Sequence, residues 1–369
     1  MASKHLLGAV ATLIGLIIGA GVLGIPAVIA KSGFLIGAVH IVVLGIAAML
    51  INLYVGEIAL RTEGKHQLTA YAGKYLGRWG KHAMLIALLI TIYGALAAYL
   101  VGESVSISGL FGISPAVAMA VFFALMAVLV FRGLNIIEGA ELYLNIFRFA
   151  AIAVLLAFVL MKLDLQNLAA VNLQYSFLPY GVVFFALMGA SAVPAVKEVL
   201  KTNRKLVKRA IIIGSLFPVV FYLLFAFAFV GAFGDSVGEI ATADLGMGGY
   251  IAAFGNIFAI VSMATAFLVL ALALKWVYEY DYKINRHVAF LLTCAVPLVL
   301  VLAGVSRFSA VLGITGAVAG GLEGIIVVLM HRKAAAHGKP EYSIKAPWIA
   351  DILLISLFIA GIIYTVATL

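Results

Sequence analysis

Long apolar runs separated by short polar segments make up almost the whole chain. Eleven runs of 17 or more residues can be traced, and each is long enough to cross about 30 Å of hydrocarbon as a helix. The polar segments between them leave no room for a soluble domain. The pattern predicts an all-α, polytopic membrane protein with a single transmembrane domain over 1–369 and helices over 6–30, 34–60, 82–106, 114–131, 143–161, 176–196, 210–231, 249–274, 288–305, 308–330 and 347–368.

The composition excludes several classes of protein. Hydrophobic residues make up 65% of the 369 residues and charged residues 11%, against roughly 45–50% and 25% in soluble domains. A soluble enzyme and a disordered chain are therefore excluded. The single cysteine, Cys294, lies in an apolar run, so an intrachain disulfide cannot form.

The basic residues are distributed asymmetrically between the two sides of the predicted helix array. If the N-terminus is cytoplasmic, all but three of the 24 Lys and Arg residues fall in cytoplasmic segments, the exceptions being Lys31, Lys162 and Arg307. The positive-inside rule then predicts a multi-pass protein of the plasma membrane with a cytoplasmic N-terminus and an extracellular C-terminus. The net charge of +9 therefore reflects the topology of the protein and a contact of its basic residues with anionic membrane lipid. It does not indicate a nucleic-acid-binding surface.

The first predicted helix contains residues that disfavour a helix. Residues 18–27 read Ile-Gly-Ala-Gly-Val-Leu-Gly-Ile-Pro-Ala. Glycine costs about 1 kcal/mol in a helix interior and proline about 3 kcal/mol, so we expect this helix to open in mid-membrane. The backbone groups freed there need partners from protein, water or a ligand, because lipid offers none.

The sixth predicted helix repeats this feature, with Gly189 following Gly19 by 170 residues. Residues 189–195 read Gly-Ala-Ser-Ala-Val-Pro-Ala. Five helices per repeat is an odd number, so the two broken helices would cross the membrane in opposite directions. Interrupted helices at matching places of two inverted halves point to the binding site of a secondary transporter. The alternative is that the glycines serve only helix packing, which we favour for Gly316 and Gly320 in the tenth helix.

An opened pair of helices offers both kinds of backbone group to a ligand. Amides of residues 20–24, at a positive helix end, suit a carboxylate, and freed carbonyls suit an ammonium group. A site of this kind matches a zwitterion, of which an α-amino acid is the simplest. The predicted substrate-binding residues are Ile18, Gly19, Ala20, Gly21, Val22, Leu23, Gly24, Phe184, Phe185, Gly189, Ala190, Ser191, Tyr93 and Ser262, with Tyr99 beside them.

The segment from Ile18 to Pro26 resembles the first-helix signature of amino acid permeases in the amino acid–polyamine–organocation superfamily. It is most like the amino acid/auxin and aromatic amino acid permease families, and residues 68–81 and 194–200 are similar to those permeases as well. The resemblance implies the leucine-transporter fold with broken helices 1 and 6. The two inverted repeats of five helices would cover 6–161 and 176–331, with an eleventh helix over 347–368.

Three carboxyl groups are candidates for carrying a coupled proton. Glu323 lies in mid-span among glycines, and ionisable residues inside the membrane are functional candidates by default. Glu103 lies at the outer end of the third helix. Glu57 lies at the inner end of the second helix, where an ordinary surface pair with Arg61, four residues later, would explain it.

The residues leave the coupling ion open between a proton and sodium. The resemblance implies a role for Arg148, since in proton-coupled relatives a lysine near this position resembles a fixed stand-in for sodium. The alternative is that Arg148 snorkels to the cytoplasmic surface. Sodium would instead need hydroxyls, which Ser262 and Thr265, three residues apart on one helical face, could supply.

Other functional classes lack their motifs in this sequence. His-Glu-x-x-His and phosphate-binding Gly-Lys-Ser/Thr motifs are absent, and the histidines have no metal-ligand spacing. Gly-x-Ser-x-Gly occurs at residues 234–238, but in a segment between two predicted membrane helices and without the preceding strand that a nucleophile elbow needs. A channel would need a filter motif, and a transporter-like amino acid sensor is the remaining alternative. The sequence predicts a secondary active transporter of neutral, apolar or aromatic amino acids, without an obligate protein partner and with H+ or Na+ in place of a cofactor.

Overall fold

The computed structural model describes the backbone of residues 2–133, 137–243 and 249–368, and the side chains of these residues except 2–4, 137–147, 280 and 281. Its α-helices are α1 (Ala2–Ile17), α2 (Ile25–Ser32), α3 (Phe34–Leu60), α4 (Leu68–Phe111), α5 (Pro115–Arg132), α6 (Ile137–Leu160), α7 (Pro179–Leu187), α8 (Val193–Val199), α9 (Val207–Phe233), α10 (Tyr250–Trp276), α11 (Arg286–Leu302), α12 (Phe308–Ile314), α13 (Gly321–Ala334) and α14 (Trp348–Ala367). Short 3₁₀ and π segments join several of them.

Most of these helices are long and apolar enough to cross a membrane. Within the described residues, 8 helices pass this test, and a ninth span results if α1 and α2, bent by 45°, count as one. Two shorter apolar helices, Arg148–Leu160 and Arg286–Leu302, lie where the fifth and ninth spans were predicted. The prediction of an all-helical, polytopic membrane protein is therefore confirmed, whereas the arrangement in two inverted repeats of five stays a prediction.

Two helices differ from their predicted form. The third span was predicted over 82–106, but α4 begins already at Leu68 and changes direction at Gly77, whose φ of 73° is readily adopted by glycine. The tenth span was predicted as one helix, but it consists of α12, a π-helical segment from Thr315 to Gly320, and α13.

The π-helical segment lies against α7 with almost no side chain between the two backbones. A Cβ on Gly181 would overlap the carbonyl oxygen of Gly313, and a Cβ on Gly316 would overlap that of Gly181. Small residues allow such a close approach of membrane helices. The glycines of the tenth span are therefore packing surfaces, as predicted.

Glu57 is a buried residue, and the prediction of an ordinary surface pair is wrong. Its side chain pairs with Arg61 at 2.7 Å, but it is only 1% exposed. The segment that follows α13 folds back over the end of α3, so that Ser343 Oγ and Ile344 N donate to the Glu57 carboxylate at 2.9 and 2.6 Å. His331 Nε2, on α13, lies 3.0 Å from the same carboxylate.

A second group of contacts holds α14 to the same end of the bundle. Tyr54 on α3 donates to Asp351 on α14 at 2.7 Å, and Arg332 on α13 forms an ion pair with Asp351. We call this end the basic end, because Arg61, Lys197 and Arg332 all lie there. Arg61 donates to the main-chain carbonyls of Ala335, His337 and Gly338, and Lys197 donates to those of Thr62 and Gly64.

Candidate functional site

The first span is interrupted where its glycines and proline predict a break. Helix α1 ends at Ile17, Gly19 has an extended backbone (φ −103°, ψ −157°), and a 3₁₀ turn from Ala20 to Gly24 leads into α2. Proline is acceptable in the first turn of α2, because the amide that it lacks would have no intrahelical partner there. The residues of the 3₁₀ turn are all buried.

The sixth span is interrupted in the same way. Helix α7 ends at Leu187, and Met188 and Gly189 leave the helical conformation. A 3₁₀ turn from Ala190 to Ala192 then leads into α8, which again has its proline in the first turn. Both breaks thus have the order helix, glycine, 3₁₀ turn, proline and helix.

The two breaks pack directly against each other. A Cβ on Gly21 would lie 3.1 Å from Cδ1 of Phe185 and 3.2 Å from Cα of Ala186. A Cβ on Gly189 would lie 2.7 Å from Cγ1 of Ile17. The glycines of each break therefore leave the space that residues of the other break fill.

Tyr222, on α9, joins the freed backbone of both breaks. Its hydroxyl lies 2.8 Å from the carbonyl oxygen of Ile17 and 3.0 Å from that of Ala186. A phenol has one proton, so it cannot satisfy both carbonyls fully at once. Tyr222 is completely buried, which keeps water away from these two acceptors.

A narrow cavity lies beside the second break and contains Glu323. The cavity is lined by Asn52 on α3, by Met188 and Gly189 of the second break, and by Gly320 and Glu323 of the tenth span. It has room for about one water molecule. Among the described residues, none forms a hydrogen bond or ion pair with the Glu323 carboxyl. Asn52 donates to Ser215 Oγ at 3.1 Å.

The predicted ion-coupling residues of the fifth and eighth spans meet in the structure. The Arg148 guanidinium donates to the main-chain oxygen of Ser262 at 3.2 Å and to the hydroxyl of Thr265. The side chain is directed towards α10, so snorkelling to the surface is not its conformation here. Glu323 is not part of this group, since it lines the cavity on α13.

The structure gathers most, but not all, of the predicted substrate-binding residues. Phe184, Gly189 and Ala190 line the cavity, and Phe185 lies against the position of Gly21. The other members of the first break are Ile18, Ala20, Val22, Leu23 and Gly24, which are buried, and Gly19, which is half-buried.

Three predicted residues do not line the contact between the breaks: Ser191 belongs to the second break but faces outward, and Tyr93 and Ser262 lie on other helices. Ser191 is exposed, because the 3₁₀ turn directs it outward. The hydroxyl of Tyr93 lies 2.6 Å from that of Tyr278 and donates to the carbonyl of Leu292 on α11. The Ser262 hydroxyl is buried without a hydrogen-bond partner among the described residues, although its carbonyl accepts from Arg148.

Tyr222 and Asn52 are not among the residues predicted from the sequence. Asn52 had a usable signal, because a buried amide within an apolar run requires a partner inside the protein. Tyr222 lies in an aromatic-rich run (residues 221–229) and has no such signal. Its role follows only from the packing of α9 against α1, α2 and α3.

Comparison with known proteins gives a consistent result over the whole chain. The model of the tryptophan/tyrosine permease family matches residues 2–368. Among curated proteins, glutamine transporter 2 of Aliivibrio fischeri is 22% identical over 330 residues, which cover 85% of each chain. Tyrosine-specific transport system 1 of Haemophilus influenzae is 24% identical over 95% of this chain and 93% of its own, and system 2 is 28% identical over 64% and 60%. The family and these relatives indicate a transporter of amino acids, not an enzyme.

Proposed function

Because the chain belongs to the tryptophan/tyrosine permease family, we propose that it is a secondary active transporter of neutral amino acids. The proposed site rests on one observation. The two broken helices are in contact, and a free carbonyl of each lies within hydrogen-bonding distance of the Tyr222 hydroxyl. The named relatives transport tyrosine or glutamine, which are both zwitterions with uncharged side chains. These two amino acids are the substrates to test first.

The breaks supply partners for both ends of a zwitterion. The substrate ammonium group, with three donors, would satisfy the carbonyls of Ile17 and Ala186 together, which the single proton of Tyr222 cannot do. The substrate carboxylate would bind the amides at the start of the 3₁₀ turn, Ala20–Gly24. The breaks are in close contact here and the cavity beside them is small, so binding requires them to separate, as alternating access demands.

For the coupling ion we propose a proton. Sodium would need the hydroxyls of Ser262 and Thr265 on α10, and the Arg148 guanidinium already binds the Thr265 hydroxyl and the main-chain oxygen of Ser262. An arginine stays charged at physiological pH, so it occupies this position permanently without exchanging a proton itself. Glu323, in the cavity beside the second break, is then the group that binds and releases the proton.

The proposal includes the topology and architecture predicted from the sequence. The basic end would face the cytoplasm of a plasma-membrane protein, by the positive-inside rule. Residues 6–161 and 176–331 would form two inverted repeats, with α14 in addition. The similar order of elements in the two breaks supports this arrangement.

The test is uptake of radiolabelled L-tyrosine and L-glutamine into liposomes that contain the purified protein. An outwardly directed gradient of sodium or protons serves as the negative control, and protein-free liposomes report leakage. We expect accumulation of one of the two amino acids when the lumen is alkaline, in the absence of sodium. Accumulation that requires an inward sodium gradient would favour the sodium-coupled alternative. Binding of either amino acid without exchange or uptake would favour the sensor.

A further inference from the structure

A second unpaired carboxyl, that of Glu103, lies in the membrane-spanning region on another helix. Glu103 is 0% exposed, and neither of its carboxyl oxygens has a hydrogen-bond partner among the described residues. A buried carboxyl without a hydrogen-bond donor is most stable in its neutral form, because an unpaired buried charge is very costly.

Glu103 belongs to a polar interface between α4 and α10. A Cβ on Gly102 would lie 3.2 Å from Cε of Met263, and a Cβ on Gly109 would lie 3.4 Å from the Asn256 amide. These two contacts are seven residues apart on each helix and in opposite order, so the helices are antiparallel and Glu103 is level with Ser262. We call Glu103, Ser106, Asn256 and Ser262 the polar seam.

All four members of the polar seam carry a buried oxygen without a partner among the described residues. A single metal cation cannot explain the set, because Asn256 and Ser262 are six residues apart, which is about 9 Å along a helix. Hydroxyl and amide oxygens can, however, accept the proton of a neutral carboxyl or pass it through a water molecule. The polar seam therefore suits a proton better than a metal ion.

The polar seam is connected to the breaks. Tyr99 lies one turn before Glu103 on α4 and is within electrostatic reach of both Arg148 and Tyr222. Ser262 accepts from Arg148 through its carbonyl. A change of charge at Glu103 would therefore act within one or two turns of the groups that hold the breaks together.

Other titratable groups on the helices that pack against α4 do not pair with Glu103 in the described part of the chain. They are Lys275 on α10, Arg132 on α5, Arg286, His287 and Cys294 on α11, Arg307 before α12, and Glu323, His331, Arg332 and Lys333 on α13. Glu103 and Glu323 are thus separate carboxyls, on α4 and α13, near different parts of the two breaks.

We propose that Glu103 is a second proton-carrying group of the transport cycle, which takes up a proton from water when the polar seam opens and releases it when the carboxyl is exposed to the opposite side. The proton that binds the carboxylate in one step leaves it in the other, so nothing else is consumed. This inference rests on the proposed proton-coupled transport.

The test compares Glu103→Gln with the wild-type protein in liposomes, using L-tyrosine or L-glutamine, whichever the wild type accumulates. A gradient of one pH unit gives the wild type about tenfold accumulation per coupled proton. In Glu103→Gln we expect the accumulation ratio to fall about tenfold relative to the wild type, because the proton carried by Glu323 stays coupled, while exchange of labelled for unlabelled amino acid across the membrane continues. Glu103→Asp, which keeps a carboxyl, should regain part of the accumulation, and Glu63→Gln, in an exposed loop, should not change it.

The outcomes separate this inference from the proposed function. If the wild type shows no accumulation with the pH gradient, proton coupling as a whole is wrong. If the wild type is coupled and Glu103→Gln accumulates equally well, only the role of Glu103 is wrong. Loss of exchange as well as accumulation in both Glu103→Gln and Glu103→Asp would mean that Glu103 is structural, and would overturn the inference too.

Discussion

The hydroxyl of Tyr222 donates to the main-chain carbonyl of Ile17 at 2.8 Å, across the gap between α9 and the first break. The same oxygen lies 3.0 Å from the carbonyl of Ala186 at the end of α7. One side chain from a third helix thus holds the backbone of two broken helices that are far apart in sequence. Since membrane lipid cannot supply a donor, these carbonyls depend on this hydroxyl in the structure described here.

We expect Tyr222→Phe to destabilise the protein without disturbing its packing. The ring remains, but the two buried carbonyls lose the single donor that they share, at a cost of about 1–3 kcal/mol. Thermal unfolding in detergent measures the effect. Tyr250→Phe is the matched control, since Tyr250 is 96% exposed. Equal unfolding temperatures for the two variants would show that the Tyr222 hydroxyl does not stabilise the breaks.

Gly21→Val and Gly189→Val should abolish substrate binding. The new side chains would occupy the space now filled by Phe185 and Ala186 in one case and by Ile17 in the other, and so keep the breaks from closing around a ligand. Thermal stabilisation by added L-tyrosine or L-glutamine measures binding. Gly8→Val is the control on α1, because a Cβ at this position would lie 3.8 Å from the nearest atom, which is an ordinary van der Waals distance. Wild-type affinity in either break variant would contradict the site.

Glu323→Gln should weaken uptake driven by a pH gradient and leave substrate binding intact. The amide has nearly the shape of the carboxyl, so the cavity beside the second break keeps its size, but it cannot bind and release a proton at physiological pH. Uptake into liposomes at several imposed pH gradients, together with ligand-induced thermal shifts, separates the two effects. Unchanged uptake at every gradient would exclude Glu323 as the coupling group.

Thr265→Val should slow transport, because Arg148 loses a hydroxyl acceptor while the size of the side chain is kept. A hydrogen bond to a charged group contributes about 1.5–3 kcal/mol, so the exchange rate should fall by about tenfold or more if this contact fixes Arg148 during the cycle. Thr265→Ser, which keeps the hydroxyl, is the control. A variant that instead becomes dependent on sodium would show that Arg148 no longer excludes the ion.

Glu57→Ala should be strongly destabilising. Its carboxylate is buried and accepts from Arg61, Ser343 and Ile344, and loss of one partner of a buried pair costs about 3–5 kcal/mol. Glu198→Ala is the comparison, because its pair with Lys65, at 3.7 Å, is largely exposed and contributes about 0–1 kcal/mol. Thermal unfolding of both variants provides the measurement, and similar losses would mean that Glu57 is not a structural anchor.

The two breaks were predictable because their cause is local. Glycine and proline disfavour a helix wherever they occur in it, so the residues themselves mark positions 18–26 and 189–194. A site formed by both breaks together was also predicted, because interrupted helices at matching places of two predicted inverted halves point to one binding site. The charge of Arg148 and the hydroxyl of Thr265, both within apolar runs, require partners inside the protein, and they bind each other. The Ser262 hydroxyl has no partner among the described residues, and only its main-chain oxygen accepts from Arg148.

Features that depend on the direction of a side chain could not be predicted in this way. Ser191 follows the buried Ala190 in a short 3₁₀ turn, where a small rotation of the backbone decides whether a side chain faces the cavity or the outside. Tyr93 lies on the same helix as Tyr99, but its hydroxyl contacts α11. The burial of Glu57 depends on a polar segment, 335–347, whose sequence gives no sign that it folds back over α3.

Helix α14 connects several spans of the bundle to one another. Asp351 binds Tyr54, the segment before α14 covers Glu57, and Tyr180 of the sixth span donates to the carbonyl of Leu357. The last helix therefore contacts the second, sixth and tenth spans at once, and the segment that leads into it covers the Glu57 carboxylate. A chain ending after α13 would still contain both broken helices, but it would lack the contacts by which α14 connects the spans around them.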